Sequence, residues 1–166
     1  MDDPRSETTV TGTERAQLEA FVHDNRRELL AVLDGLTEEQ ARRRLVPSLT
    51  CPLALVKHAA FVEKVWFHVS LAGRSRVDVG VPEAAEDSWV LAEDDTIASV
   101  SAAYRAACAE ADAYAAACGL DDLARHNRRG PLTLRWIYLH LVEELARHAG
   151  HGDILREQIL AAEARS

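Results

Sequence analysis

The most constraining feature of this chain is the spacing of apolar residues in LRWIYLHLVEELARHAGHGDILREQI, from Leu134 to Ile159. Leu134, Ile137, Leu141, Leu145, Leu155 and Ile159 recur on a three- and four-residue rhythm, so they share one face of a long helix. Such a helix must bury that stripe against other helices, which points to a helical bundle. Two residues on the stripe are out of place in a plain core. At ~100° per residue, His148 projects into the middle of the stripe, and Glu144 lies at its edge one turn earlier. Glu143 projects to the opposite side, toward solvent. An inward Glu-x-x-x-His pair, with about 6 Å of rise between its members, offers two ligands to one metal ion and leaves room for a third.

Composition agrees with a helical fold. The 166 residues fit one domain able to bury its own core, and they include only 8 Gly and 5 Pro. A net charge of −8 without a basic face argues against nucleic-acid binding. Arg42–Arg44 and Arg125–Arg129 are short basic runs near expected helix ends, read as solvated caps or anion contacts. No stretch approaches the ~18 apolar residues that span a bilayer, and the polar start MDDPRSETTV is not a signal peptide. Three cysteines, Cys51, Cys108 and Cys118, in odd number and without CxxC spacing, argue against disulfides and for a reducing cytoplasm.

In chain order, residues 1–10 read as a disordered tail and residues 11–166 as a single domain. Helix 1 starts near Thr11, where Thr11-Gly12-Thr13-Glu14 has capping-box spacing. Its inward stripe is Leu18, Phe21, Val22, Leu29, Val32, Leu33 and Leu36, with Asn25 inside it. Thr37-Glu38-Glu39-Gln40 caps a short helix. Helix 2 begins at Pro52 and runs to about Ala72, where Gly73 ends it. His58 sits at the centre of its apolar stripe, and Glu63 on the other side. Residues 74–95 form a long connection that crosses one end of the bundle with Trp89 tucked against it. Helix 3 runs from Asp95 or Thr96 to Cys118, and Asp121–Pro131 is a polar turn. Helix 4 completes an all-α four-helix bundle whose long crossover joins helices 2 and 3.

His58, Glu144 and His148 together make a His₂Glu ligand set with a coordination position left open. Zn²⁺, Fe²⁺ and Ni²⁺ all accept these donors. His140 is about 12 Å along the axis from His148, too far to share an ion, but within reach of Glu144 as an outer hydrogen-bond partner. His151, one turn after His148, either replaces a ligand or orients one, and Asn25 is a further outer contact; all three also fit ordinary boundary positions. Cys51 lies about 10 Å from His58 along the helix and reads as a small core residue, not the nucleophile of a Cys–His pair.

LALVKHAAFVEKVWF around His58, taken with the Leu134–Ile159 segment, resembles the DinB/YfiT-like superfamily. More narrowly, it is similar to the branch of mycothiol-dependent maleylpyruvate isomerase, over about Gly12 to Leu160. The resemblance implies a DinB-like four-helix bundle with one divalent metal held by a histidine from helix 2 and two residues of helix 4. Many members carry a histidine where this chain has Glu144, and the mycothiol-linked branch carries glutamate. Members of known activity are thiol S-transferases or isomerases that use low-molecular-weight thiols. The chain does not carry the additional C-terminal domain that helps form the isomerase's substrate site, so S-transfer is the expected reaction.

The expected function is therefore metal-dependent transfer of a low-molecular-weight thiol such as mycothiol to a small electrophile, with Zn²⁺ the first choice of metal and Ni or Fe alternatives. Arg147 and Arg135 are candidate contacts for a substrate carboxylate. Metal-dependent hydrolysis with water in place of thiol is one alternative, and a non-catalytic, stress-related metal-binding protein is another. A homodimer is expected to use apolar flanks such as Phe67 and Leu71.

Overall fold

Thr13, not Thr11, starts the first helix: its side-chain oxygen accepts the Ala16 N–H at 3.2 Å, satisfying one of the donors a helix N-terminus leaves open. The computed structural model describes residues 5–163, and α1 spans Glu14–Ala31. Residues 1–4 of the expected tail, and residues 164–166 of the expected domain, lie outside the described residues. Within the rest of that tail, Ser6–Thr8 form a 3₁₀ turn whose Ser6 N–H donates to Asp24 at 2.8 Å.

Thr37 and Gln40 close a reciprocal capping box at the start of the short α2, Glu38–Arg42. Helix α3, Pro52–Glu63, begins with proline in its first turn, where the missing N–H costs no hydrogen bond. It passes into a π-helical stretch over Lys64–Leu71. Gly73, at φ +71°, then turns the chain out of the helix. The connection is not structureless: it holds α4, Arg76–Val79, and a 3₁₀ turn over Ala85–Trp89. A second capping box, Thr96 with Ser99, opens α5, Ile97–Ala116. The expected polar turn contains a two-residue antiparallel ladder, β1 (Leu123–Ala124) on β2 (Leu132–Thr133). Helix α6, Leu134–Glu163, follows without a break.

The fold is all-α apart from that ladder. α1 packs on α6 and α3 on α5, and α3 also meets α6. Leu29, Leu53, Leu55, Leu134, Ile137, Leu141 and Leu145 are fully buried at these contacts. Among the described residues no helix is long and apolar enough to cross a membrane.

Three further assignments change. Phe21 is about half exposed (49%), whereas Val22 and Leu29 are buried. The buried direction of α1 is set by Val22, Leu29 and Leu33, and Phe21 lies ~100° away from Val22. Phe67, expected on an outer flank, is fully buried, so it is not available to a second copy. Glu63 is on the far side of α3 from His58, as expected, but that side is interior. Its carboxylate has no solvent exposure and takes two 2.7 Å hydrogen bonds from Arg26 of α1. Arg26 also donates to Asp112 of α5 at 2.7 Å. Burial opposes the Arg26 charge, yet Glu63 overcomes it and raises the guanidinium pKa further.

Candidate metal centre

Almost every residue of α3 is buried, so a polar side chain at its middle must find its partners inside the protein. His58 finds one in the connection. Its Nδ1 lies 2.7 Å from Ser88 Oγ, and that hydroxyl donates to the Ala85 carbonyl at 2.5 Å. A serine hydroxyl has one hydrogen. With that hydrogen given to Ala85, Ser88 accepts from His58, which places the imidazole proton on Nδ1. The Nε2 lone pair then faces the Glu144 carboxylate at 3.6 Å. Trp89 stacks on the same ring at 4.0 Å between centroids and 16° between planes.

Helix α6 brings the other two groups. Glu144 and His148 are one turn apart, with His148 Nε2 3.3 Å from Glu144 Oε1. The rings of His58 and His148 meet edge to face at 5.2 Å. One ligand atom from each of the three residues falls within 4.8 Å of the other two. Ligands about 2.0–2.1 Å from one tetrahedral ion stand roughly 3.4 Å apart, and the two carboxylate–imidazole separations bracket that value. The donor set therefore fits a divalent cation.

The electrostatics fit as well. Burial lowers the pKa of His58, outweighing the opposite pull of Glu144. Hydrogen bonding to His148, the largest influence on it, holds Glu144 well below the usual carboxylate range. Neutral His58 and ionised Glu144 are the forms that bind a metal. His148 Nδ1 is buried and has no hydrogen-bond partner among the described residues, while its Nε2 faces the Glu144 carboxylate, which can only accept.

A cavity of about 560 Å³ opens beside the cluster. His58 and Glu144 form part of its wall, with Phe61, Trp66 and His140. Arg76 and Arg129 stand over its aromatic side, Arg76 5.8 Å from the Phe61 ring and Arg129 5.6 Å from the Trp66 ring. Arg76 also donates to the Pro82 carbonyl at 2.7 Å and lies 3.8 Å from Glu83.

The other expected residues are distributed differently. His140 stacks on Trp136 at 5.0 Å and lines the cavity. His151 is exposed, its ring 5.9 Å from that of His148. Asn25 reaches the Val142 carbonyl at 3.5 Å, and so meets the α6 backbone, not the cluster. Arg147 pairs with Glu143, and Arg135 with Glu14 and Asp121. Neither lines the cavity. Cys51 is buried at the start of α3, and burial raises its thiol pKa, the opposite of an activated nucleophile.

Ser88 and Arg76 carried no expectation from the sequence, and Arg129 entered only as the end of the basic run Arg125–Arg129. Ser88 and Trp89 sit on a 3₁₀ turn, where no apolar period marks a position as inward. The available signal was the length of the connection and its single serine–tryptophan step.

No curated protein matches this chain. A family model described as mycothiol-S-transferase matches residues 17–161, a span that includes all three members of the cluster and both residues of the turn that touches it. With that match running through nearly all of the helical fold, the chain belongs to the mycothiol-S-transferase family.

Proposed function

We propose that His58, Glu144 and His148 hold one divalent cation, and that the chain transfers a low-molecular-weight thiol, mycothiol first, to a small electrophile. One observation carries the metal reading: His58 Nε2 lies 3.6 Å from a Glu144 oxygen inside the protein, and with the imidazole proton assigned to Nδ1 by the Ser88 contact both atoms are acceptors. Two acceptors at that distance repel unless a cation or a proton lies between them. Zinc suits two imidazoles and a carboxylate, and nickel or iron(II) accepts the same donors.

When bound, the cation supplies Lewis acidity that makes a thiol available as thiolate near neutral pH. The protein does the rest. Ser88 holds the His58 proton on the nitrogen away from Glu144. Trp89 covers the face of the His58 ring and limits water there. The cavity is large enough to seat a thiol and an electrophile together, with Arg76 and Arg129 over its aromatic wall to orient polar groups. In the transfer, the thiol sulfur forms a bond to the electrophilic carbon. The bond to the leaving group breaks, or, for an addition, the adjacent carbon takes a proton.

The test is thiol consumption by zinc-loaded protein given mycothiol and a panel of alkylating electrophiles. His148→Ala should cut turnover about 100-fold or more, the scale on which losing one electrostatic stabiliser registers. Metal-replete protein that leaves thiol untouched across the panel refutes the transfer. Turnover of an ester with no thiol added would assign the site to hydrolysis instead.

A further inference from the structure

The connection between α3 and α5 supplies a residue that no helix of the bundle could. Ser88 lies 30 positions after His58 in sequence, yet is almost wholly buried against it. Its single hydrogen is committed to the Ala85 carbonyl at 2.5 Å. What it turns toward His58, at 2.7 Å, is therefore an acceptor. We propose that Ser88 is the positioning residue for His58: its hydroxyl locks the imidazole as the Nδ1–H tautomer and so aims the Nε2 lone pair into the His58/Glu144/His148 cluster. This rests on the reading of that cluster as a metal site.

The neighbouring residue completes the lock. Trp89 stacks on the His58 ring, and Phe61 lies 5.9 Å away at 27°. A ring flip would exchange Nδ1 for a carbon and lose the bond to Ser88. The 3₁₀ turn thus fixes both the plane of the ring, through Trp89, and the location of its proton, through Ser88. His148 has no counterpart, since its Nδ1 is buried without a partner among the described residues. Of the two imidazoles, His58 is the preorganised one. An outer hydrogen bond of this type raises ligand basicity and holds ring orientation, and removing one costs metal affinity.

The experiment titrates metal-free protein with Zn²⁺ against a competing chelator at pH 7.5, in wild type, Ser88→Ala, Ser88→Thr and His58→Ala. Ser88→Ala should weaken zinc binding by about tenfold or more. Ser88→Thr, which keeps the hydroxyl, should bind within a few-fold of wild type. Nitrogen-15 NMR of the metal-free wild type should show His58 protonated at Nδ1, and a mixture of tautomers in Ser88→Ala. The proposal is overturned if Ser88→Ala binds zinc like wild type while His58→Ala does not, even where its melting temperature falls. It is equally overturned if metal-free wild type carries the His58 proton on Nε2. Zinc binding that is the same in wild type and His58→Ala would remove the metal reading itself, and the proposal with it.

Discussion

Replacing Glu63 by leucine should destabilise this protein more than any change at its surface. The carboxylate is fully buried, and both of its oxygens accept from Arg26 at 2.7 Å. Arg26 is itself only 7% exposed. With Glu63 gone, its guanidinium keeps a single anionic partner, Asp112, whose side chain is 46% exposed and competes for water. Breaking a buried pair from one side costs about 3–5 kcal/mol, because the surviving charge stays in the interior. Asp112 offsets part of this, which places the expected loss near 3 kcal/mol. For a domain of this length each kcal/mol moves the melting temperature by about 2–4 °C, so the expected fall is roughly 6–12 °C. The double variant Arg26→Met/Glu63→Leu should recover most of it, since apolar replacement of a whole buried pair is commonly neutral or stabilising. Thermal melts of metal-free protein, followed by far-UV circular dichroism for wild type, both single variants and the double, complete the cycle. A Glu63→Leu variant within about 1 kcal/mol of wild type would refute the reasoning, as would a double variant no more stable than the singles.

Two further outcomes follow from the same packing. An alanine Cβ at Gly152 would fall 2.5 and 2.8 Å from the two methyls of Val32, so α6 could not keep its present approach to α1. Overpacking of about 1–3 kcal/mol should outweigh the ~1 kcal/mol that alanine gains in helix propensity. Gly152→Ala should therefore melt below wild type and Val32→Ala should partly rescue it; a higher melting temperature for Gly152→Ala would show that the helices part freely. On the acid side, burial lowers the pKa of His58, His68 and His140. The unfolded chain thus takes up protons at these positions before the folded one does, and stability is present above about pH 6.5 and lost as pH falls below it. Melting temperatures of metal-free protein measured from pH 8 down to pH 5 should decline through that window, and a flat or rising profile would contradict the burial of these imidazoles.

What was legible in the sequence followed period. Leu134, Ile137, Leu141 and Leu145 carry the α6 stripe, and all four are fully buried. The same rhythm placed His148 and Glu144 on one face, and His58 on the facing helix, so their meeting follows from two independent helix patterns. Period failed in two ways. On α1 it assigned the inward polar position to Asn25, when Arg26 occupies the interior and is made tolerable there by a partner 37 residues away. Its burial depends on Glu63, which lies on a helix that is apolar nearly all round and so has no solvent side for a charge to take. On the connection there was no period to read: Trp89 was expected against the bundle end, but its stacking on His58, and the role of Ser88, became visible only in their contacts. The π-helical turn of residues 64–71 also has no signature in spacing alone.

The two polar clusters that flank α3 differ in one respect that bears on function. On one side of the helix, Glu63 and Asp112 are answered by Arg26, so charge is matched by charge within the protein. On the other, Glu144 is ionised beside two imidazoles, and among the described residues it forms no ion pair with a lysine or an arginine. An imidazole answers a carboxylate fully only when it is itself protonated. His58 resists that because burial lowers its pKa and Ser88 already engages its one N–H. Glu63, with no solvent exposure, is met by an arginine; Glu144, whose side chain is 20% exposed, is met by imidazoles instead. On the proposed metal reading, a divalent cation at His58, Glu144 and His148 would bring the positive charge that no lysine or arginine among the described residues brings to Glu144.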